Sequence, residues 1–239
     1  MRKIRLLLVS AILAVASVAT ANAEKIDRKS VLERNNPKVT NADPLNALSV
    51  GNGHFATTVD VTGMQSYPQN YMQGVPLCSM SDWGWHSFPN TENLKHEETE
   101  KEMDLGHGRK EVYAVEYKVD GRGKKATEYF RINPHRLNLG NVALVIKDGK
   151  GQIKEADLKD IDQRLDLYNG MITSRFSALG QPVMVQTACM PCEDAMVYSI
   201  NSRLLSSGKA SVRLSLPYPS GKHADAATDW GNEDKHVSR

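Results

Sequence analysis

The 239-residue chain has little cysteine, only three residues in total. Cys78 stands in a long loop region, and Cys189 and Cys192 form a Cys-Met-Pro-Cys pair. A redox motif needs its first cysteine at the start of a helix that follows a strand, whereas this pair ends a strand-like run. A structural zinc site needs four ligands, and the chain has no second CxxC and no HxxxH pattern. We therefore expect an ordinary turn here, although a disulfide is chemically available in an oxidising compartment.

Several catalytic and binding motifs are also missing. The sequence contains no GxSxG, P-loop, HExxH or EF-hand pattern, and no basic run interleaved with aromatic residues. Its acidic residues are scattered or stand in charged runs, so no pair of carboxylates suggests itself for glycoside hydrolysis. We expect no metal, no cofactor and no nucleic-acid partner. Catalytic residues are not identifiable from the sequence.

Long amphipathic helices are the third absence. Helical signals are few. A Glu97–Lys101 pair predicts a short helix over residues 97–103. Leu158, Ile161 and Leu165 also recur at helical spacing, although a strand is the stronger interpretation for Leu165. Alternation of apolar and polar residues instead predicts strands over residues 55–62, 111–118, 183–188 and 210–216. Asn169-Gly170 lies between two further strand-like runs and predicts a hairpin with a type I′ turn. The pattern indicates an all-β sandwich with a long loop insertion after the first strand and at most short helices.

The stretch 48–89 is rich in glycine and tryptophan. Gly51-Asn52-Gly53 predicts a sharp turn into the first strand, because glycine tolerates positive φ angles. Further along, Trp83-Gly84-Trp85-His86 stands in a segment without strand character. Two indole rings have a large apolar area, so we expect them either to pack beneath the loop or to face a ligand.

Five separated blocks resemble a known family. LSVGNGHFA, SDWGWHSFPNTEN, YFRINPHRLNLG, QRLDLYNG and PYPSGKHADAATDW are similar to the N-terminal region of exported bacterial proteins of the six-hairpin glycosidase superfamily, relatives of glycoside hydrolase families 65 and 95. The resemblance implies a β-supersandwich of the galactose-mutarotase-like kind. In that superfamily this domain precedes an (α/α)6 barrel that carries the catalytic carboxylates. The chain ends at Arg239 without a barrel, so the resemblance implies a non-catalytic module.

Residues 1–23 have the pattern of a signal peptide. A basic segment with Arg2, Lys3 and Arg5 precedes an apolar stretch and the small residues Ala21-Asn22-Ala23. We expect one mature domain, residues 24–239, that is periplasmic or secreted and has no membrane segment after cleavage. Three of the 30 Lys and Arg residues lie in the signal and no Asp or Glu does, so 27 basic residues face 28 acidic ones in the mature chain.

Trp83, Trp85, His86 and Asn90 are the candidate carbohydrate contacts. Aromatic rings stack on the C–H faces of sugars, while neighbouring polar groups bind the hydroxyls. The alternative is that at least one tryptophan is a core anchor. On this alternative we expect Trp85 to be the anchor and Trp83, beside Asp82, to be the more exposed ring.

Three functions remain open at this point. The first is the non-catalytic module of a hydrolase in glycan breakdown, with a separately encoded or lost (α/α)6 barrel domain as its partner. The second is a stand-alone carbohydrate-binding protein that uses the same loop. The third is a small mutarotase-type enzyme with a histidine and a carboxylate as acid and base.

Overall fold

The computed structural model describes residues 26–115, 117–118 and 120–237. The chain divides into two compact units, Met1–Asn35 and Asn36–Arg239. The predicted signal peptide lies outside the described residues. The described part of the first unit forms helix α1 (Arg28–Arg34). The Asp27 carboxylate caps this helix by accepting hydrogen bonds from the backbone N–H groups of Lys29 and Ser30.

The second unit consists mainly of strands. Its strands are β1 (Lys38–Val39), β2 (Leu48–Gly51), β3 (Phe55–Val59), β4 (Ser79–Ser81), β5 (Trp85–His86), β6 (Glu100–Gly106), β7 (Arg109–Ala114), β8 (His135–Arg136), β9 (Asn141–Ile146), β10 (Lys159–Asp166), β11 (Met171–Ala178), β12 (Gln181–Cys189), β13 (Met196–Asn201) and β14 (Ala210–Ser215). Its helices are α2 (Pro68–Tyr71), α3 (Arg122–Ile132) and α4 (Arg203–Ser206). Short 3₁₀ turns lie at His96–Thr99, Glu155–Asp157 and Glu233–Lys235.

These strands form several antiparallel sheets. The largest has five strands in the order β1-β10-β11-β12-β13, and a three-stranded sheet has the order β2-β3-β4. Three two-stranded sheets pair β9 with β14, β5 with β8, and β6 with β7. The predicted all-β fold, mostly strands with few and short helices, is confirmed.

The main core lies between the five-stranded sheet and the β9–β14 sheet. Phe176 of β11 and Val185 of β12 belong to the same buried cluster as Leu144 and Ile146 of β9. Met64, from the loop after β3, also belongs to this cluster. Burying a side chain of this size stabilises the fold by about 1.5–3 kcal/mol. The two sheets therefore form the layers of a sandwich around one core.

The strand predicted over residues 55–62 ends earlier, at Val59. Asp60 is fully buried, and its carboxylate accepts hydrogen bonds from the backbone N–H groups of Thr62, Ser66 and Tyr67 and from the Thr62 hydroxyl. These contacts hold residues 60–67 in a tight loop. A local carboxylate that binds backbone donors competes with the strand ladder and ends it.

The predicted helix over residues 97–103 is wrong. Only His96–Thr99 forms a 3₁₀ turn, and β6 starts at Glu100, where it pairs with Ala114 of β7. The hydrogen-bonded ladder of this hairpin outweighs one i,i+4 ion pair, which stabilises a helix by only about 0.2–0.5 kcal/mol. The second predicted strand, residues 111–118, overlaps β7, which ends at Ala114.

Helix α3, which follows β7, was not predicted from the sequence. Arg122 in its first turn donates to the backbone oxygens of Glu92 and Asn93 and to the Glu98 carboxylate. Ala126 and Thr127 are the buried residues of this helix. The helix therefore depends on contacts with residues 92–98 as well as on a small buried face.

The hairpin predicted at Asn169-Gly170 is present, but the predicted type I′ turn is wrong. Asp166 pairs with Met171, so the loop contains four residues rather than two. The Asp166 carboxylate accepts from the backbone N–H groups of Tyr168 and Asn169. A type I′ turn needs positive φ at both Asn169 and Gly170, but only Gly170 has it. Capping by Asp166 favours this wider turn over a two-residue loop.

Candidate functional site

The Gly51-Asn52-Gly53 turn connects β2 to β3 and is organised by the Asn52 side chain. Its oxygen accepts hydrogen bonds from the backbone N–H groups of His54 (2.9 Å) and Phe55 (2.8 Å). Its amide nitrogen donates to the Asp194 carboxylate (2.9 Å) and to the backbone oxygen of Glu193. Asn52 therefore fixes its own turn and also ties it to the β12–β13 connection.

The Trp83 side chain also hydrogen-bonds to the Asp194 carboxylate. Its indole Nε1 donates a 2.6 Å hydrogen bond to Oδ2 of Asp194, while Asn52 occupies Oδ1. These two hydrogen bonds lower the pKa of Asp194 below its usual range. The carboxylate is therefore ionised at neutral pH and holds the Trp83 ring in one orientation.

His54 and Asp82 form a second polar pair beside Trp83. His54 Nδ1 lies 2.6 Å from Asp82 Oδ2, and both side chains are exposed. The hydrogen bond to Asp82, followed by the charge of that carboxylate, raises the pKa of His54 above its usual range. The backbone N–H of Asp82 donates to the His54 carbonyl oxygen at 2.9 Å, which keeps the two residues adjacent.

Gly84 anchors the loop between the two tryptophans. It is buried, its N–H donates to Ser81 Oγ, and its carbonyl accepts from the backbone N–H of Leu137. A Cβ at this position would lie 2.7 Å from Leu139 Cδ2 and from Ser81 Oγ. The glycine backbone thus fills the space beneath the loop, and the flanking rings remain outside.

The expectation that Trp85 is a buried anchor is therefore wrong. Trp83 is 57% exposed and Trp85 is 51% exposed. Trp83 is the more exposed ring, as expected, but the difference is small. Trp85 belongs to β5 and pairs with Arg136 of β8. The Arg136 guanidinium donates to the backbone oxygens of Ser81 and Asp82, which fixes the chain on the N-terminal side of both rings.

His86 and Asn90 lie further along the loop. The exposed His86 ring contacts Phe88 edge-on, with centroids 4.8 Å apart. The Asn90 amide donates to the Leu94 carbonyl and accepts from the Leu94 N–H, both at 2.8 Å. Asn90 also lines a cavity of about 590 Å³ together with part of α3 and residues 221–224. The structure thus uses the Asn90 amide to close its own loop.

The two rings, the neighbouring exposed side chains and the half-buried Asn52 are called the tryptophan surface from here on. It comprises Trp83, Trp85, His86, His54, Asp82, Asn52 and Asp194. Of these residues, Trp83, Trp85 and His86 were predicted as contacts from the sequence, whereas the partners His54, Asn52 and Asp194 were not. The Asn in the Gly-Asn-Gly turn was visible as a turn residue, but its bond to a carboxylate 142 positions away was not.

The tryptophan surface combines two exposed rings with ionised and neutral polar groups. Such a combination can bind the apolar face of a sugar ring and its hydroxyls. A glycosidase acid must instead hold a proton at neutral pH, which requires a raised carboxyl pKa. Asp194 has a lowered pKa, so it does not meet that requirement.

Other properties of the described residues bear on the choice of chemistry. No group of three or more His, Cys, Asp or Glu side chains within the described ranges is placed to hold a metal ion. Cys78, Cys189 and Cys192 are free thiols, and burial raises the pKa of Cys78 to about 11. Within residues 26–237, apart from the undescribed positions, no helix has the length and apolar character needed to cross a membrane.

Neither a protein-family model nor a curated protein matches this chain. The resemblance to the six-hairpin glycosidase superfamily therefore remains a prediction from the sequence blocks.

Proposed function

We propose that this protein is a non-catalytic carbohydrate-binding β-sandwich module that acts in glycan breakdown and binds sugar on the tryptophan surface. The observation that carries the proposal is the exposure of two indole rings, Trp83 and Trp85, on either side of a buried glycine. Exposed aromatic area of this kind is costly in water and is typical of a binding surface.

The polar partners of the rings support the same function. Asp194 holds the Trp83 ring through its indole nitrogen, and Asn52 holds Asp194. A ring held in place before binding loses little conformational entropy when a ligand stacks on it. Asp82 and His54 lie next to the ring and offer an acceptor and a donor for sugar hydroxyls.

The resemblance in sequence suggests that catalysis belongs to a separate (α/α)6 barrel domain. An apolar strip on β14 is consistent with such a partner. Val212 and Leu214 pair with Leu144 and Val142 of β9 and share their face, yet both are more than half exposed. The core-facing side of the β9–β14 sheet is therefore buried at β9 but exposed to solvent at Val212 and Leu214. We assign this exposed apolar strip to contact with the barrel domain.

The His54–Asp82 pair favours a second candidate, a mutarotase-type enzyme. A histidine and a carboxylate in hydrogen-bond contact are the groups that ring opening of a sugar requires as acid and base. Both side chains are exposed, however, and catalytic electrostatics gain most of their strength where water is excluded. Carbohydrate binding is therefore the better supported function.

Calorimetric titration of the purified chain with a panel of oligosaccharides tests the proposal. We expect binding of at least one neutral glycan, with dissociation constants in about the micromolar to millimolar range. We also expect no hydrolysis of aryl glycosides and no acceleration of mutarotation by the same preparation. Turnover that disappears in Asp82→Asn, with the fold retained, would replace the binding proposal by an enzymatic one.

A further inference from the structure

The β6–β7 hairpin lies outside both buried clusters of the domain. All residues of β7 are exposed, and in β6 only Glu100 is half-buried. The turn is well defined, because His107 (φ 53°) and Gly108 (φ 74°) both have the positive φ of a type I′ turn. Neither strand pairs with any other strand that the structure describes. A two-stranded hairpin without a packed face is only marginally stable in water, so a further strand would stabilise it.

Alternate residues of β7 turn their backbone groups to its free edge. The Val115 N–H, just beyond the strand, donates to the Thr99 oxygen at 2.9 Å and therefore faces β6. Since these directions alternate along an antiparallel strand, Lys110, Val112 and Ala114 point their N–H and C=O groups away from β6. Their N–H groups have no partner in the described part of the chain. This edge is therefore available to pair with another strand.

The β6 edge of the hairpin differs in charge. Glu102 lies opposite Val112, so the residues of β6 with outward-facing backbone groups are Glu100, Glu102 and Asp104. Each two-fold pairing of this edge with itself would place an acid directly opposite another acid, which is destabilising. Of the outward-facing residues of β7 only Lys110 is charged, and its amine lies 2.9 Å from the Glu102 carboxylate. Self-pairing is therefore opposed by charge at β6 but not at β7.

The geometry points to a dimer in which β7 pairs antiparallel with β7 of a second copy of this chain. In the register centred on Val112, the two Val112 residues lie opposite each other and Lys110 lies opposite Ala114 of the second copy. Every outward-facing N–H of both strands then donates to a carbonyl of the other copy. A register centred on Glu111 would place two carboxylates directly opposite each other. The two hairpins together form one sheet in the order β6-β7-β7-β6, and the two-fold symmetry closes the contact.

Sedimentation velocity of the purified chain over a series of concentrations tests this dimer. We expect a monomer–dimer equilibrium with a dissociation constant of about 1–100 μM. Val112→Pro removes the central outward-facing N–H of each copy but no hydrogen bond within the hairpin, and an edge strand tolerates proline at such a position. This variant should weaken the dimer about tenfold or more, since one hydrogen bond is lost from each copy.

Glu102→Pro is the matched control. Glu102 lies directly opposite Val112 but turns its N–H to the other edge of the hairpin. The ion pair with Lys110 that this variant removes is exposed and contributes little, so we expect the dimer affinity of wild type. Amide hydrogen exchange gives a second readout on the unmodified chain. As the concentration rises, exchange should slow at Lys110, Val112 and Ala114 and stay unchanged at Glu102 and Asp104.

Several results would each overturn the dimer. One is a monomer at all concentrations up to about 1 mM. Others are an unchanged dimer in folded Val112→Pro, or an equal loss of the dimer in folded Glu102→Pro. Exchange that slows at the β6 edge instead would also contradict it. Assemblies that grow beyond two copies would indicate pairing of β7 with β6, which does not close.

Discussion

Replacing Asp60 by alanine is expected to destabilise the domain by on the order of 3–5 kcal/mol. The carboxylate is fully buried and accepts hydrogen bonds from the backbone N–H groups of Thr62, Ser66 and Tyr67. Truncation leaves these donors inside the protein without a partner. The loss also reaches the core, because the loop that they hold contributes Met64 to the main buried cluster.

Chemical denaturation of wild type and Asp60→Ala measures this change in the free energy of unfolding. Asp148→Ala is the matched control, because the Asp148 carboxylate also accepts a backbone N–H, that of Lys150, but on an exposed turn. We expect the control to change stability by about 0.5 kcal/mol or less. A change of that small size in Asp60→Ala would contradict the structural role of the buried carboxylate.

The same residue predicts a pH dependence of stability. Burial raises the pKa of Asp60 from 3.8 to about 6, although its hydrogen bonds with Thr62 and Tyr67 oppose the shift. A raised folded-state pKa means that the folded protein binds the proton more tightly than the unfolded chain. The contribution of this group is therefore fully present below about pH 4 and is lost as the pH rises through about 6. The cost of Asp60→Asn should accordingly be larger at about pH 4 than at about pH 7.

Replacing Trp83 and Trp85 by alanine is expected to remove glycan binding without unfolding the domain. Each ring is about half exposed, so its truncation leaves no large core cavity. Loss of a stacking ring should weaken a neutral oligosaccharide by roughly tenfold to a hundredfold per tryptophan, the range typical of aromatic hot spots. Calorimetry gives the affinity, and a thermal melt gives the stability.

Tyr113→Ala is the control for this pair. Tyr113 is 49% exposed, close to the exposure of Trp85, but it lies on β7. We expect this variant to keep both the affinity and the melting temperature of wild type. If the tryptophan variants instead melt far below wild type, the rings are structural. If they melt normally and bind as wild type does, the ligand uses another surface.

The sequence was informative where strands alternate around a buried face. Strands β11 and β12 and the β10–β11 hairpin follow such patterns along a few residues. The apolar alternation of residues 210–216 also predicted β14, although only Ala210 of that strand is buried. In the β6–β7 hairpin, the alternation over residues 111–118 indicated β7 but β6 was missed, since almost all of its residues are exposed. Over residues 97–103 the local Glu97–Lys101 spacing misled the interpretation.

The candidate site was predictable only in part, for a similar reason. The composition of residues 83–86 identified the aromatic loop. Exposure of the rings, however, depends on Gly84 packing against Leu139, and the orientation of Trp83 depends on Asp194, 111 positions away. Contacts between such distant positions leave no periodic signal in a single sequence. The loop could be named, but its polar partners required the fold.

The chain contains three tryptophans, so its indole N–H groups give three resonances that single Trp→Phe variants assign. Following these resonances during titration with a neutral glycan that binds tests the central proposal most directly. The Trp83 and Trp85 signals should shift with one common dissociation constant, while the signal of Trp230, in the C-terminal segment, stays in place. A bound glycan that moves the Trp230 signal but leaves those of Trp83 and Trp85 unchanged would contradict the assignment of carbohydrate binding to the tryptophan surface.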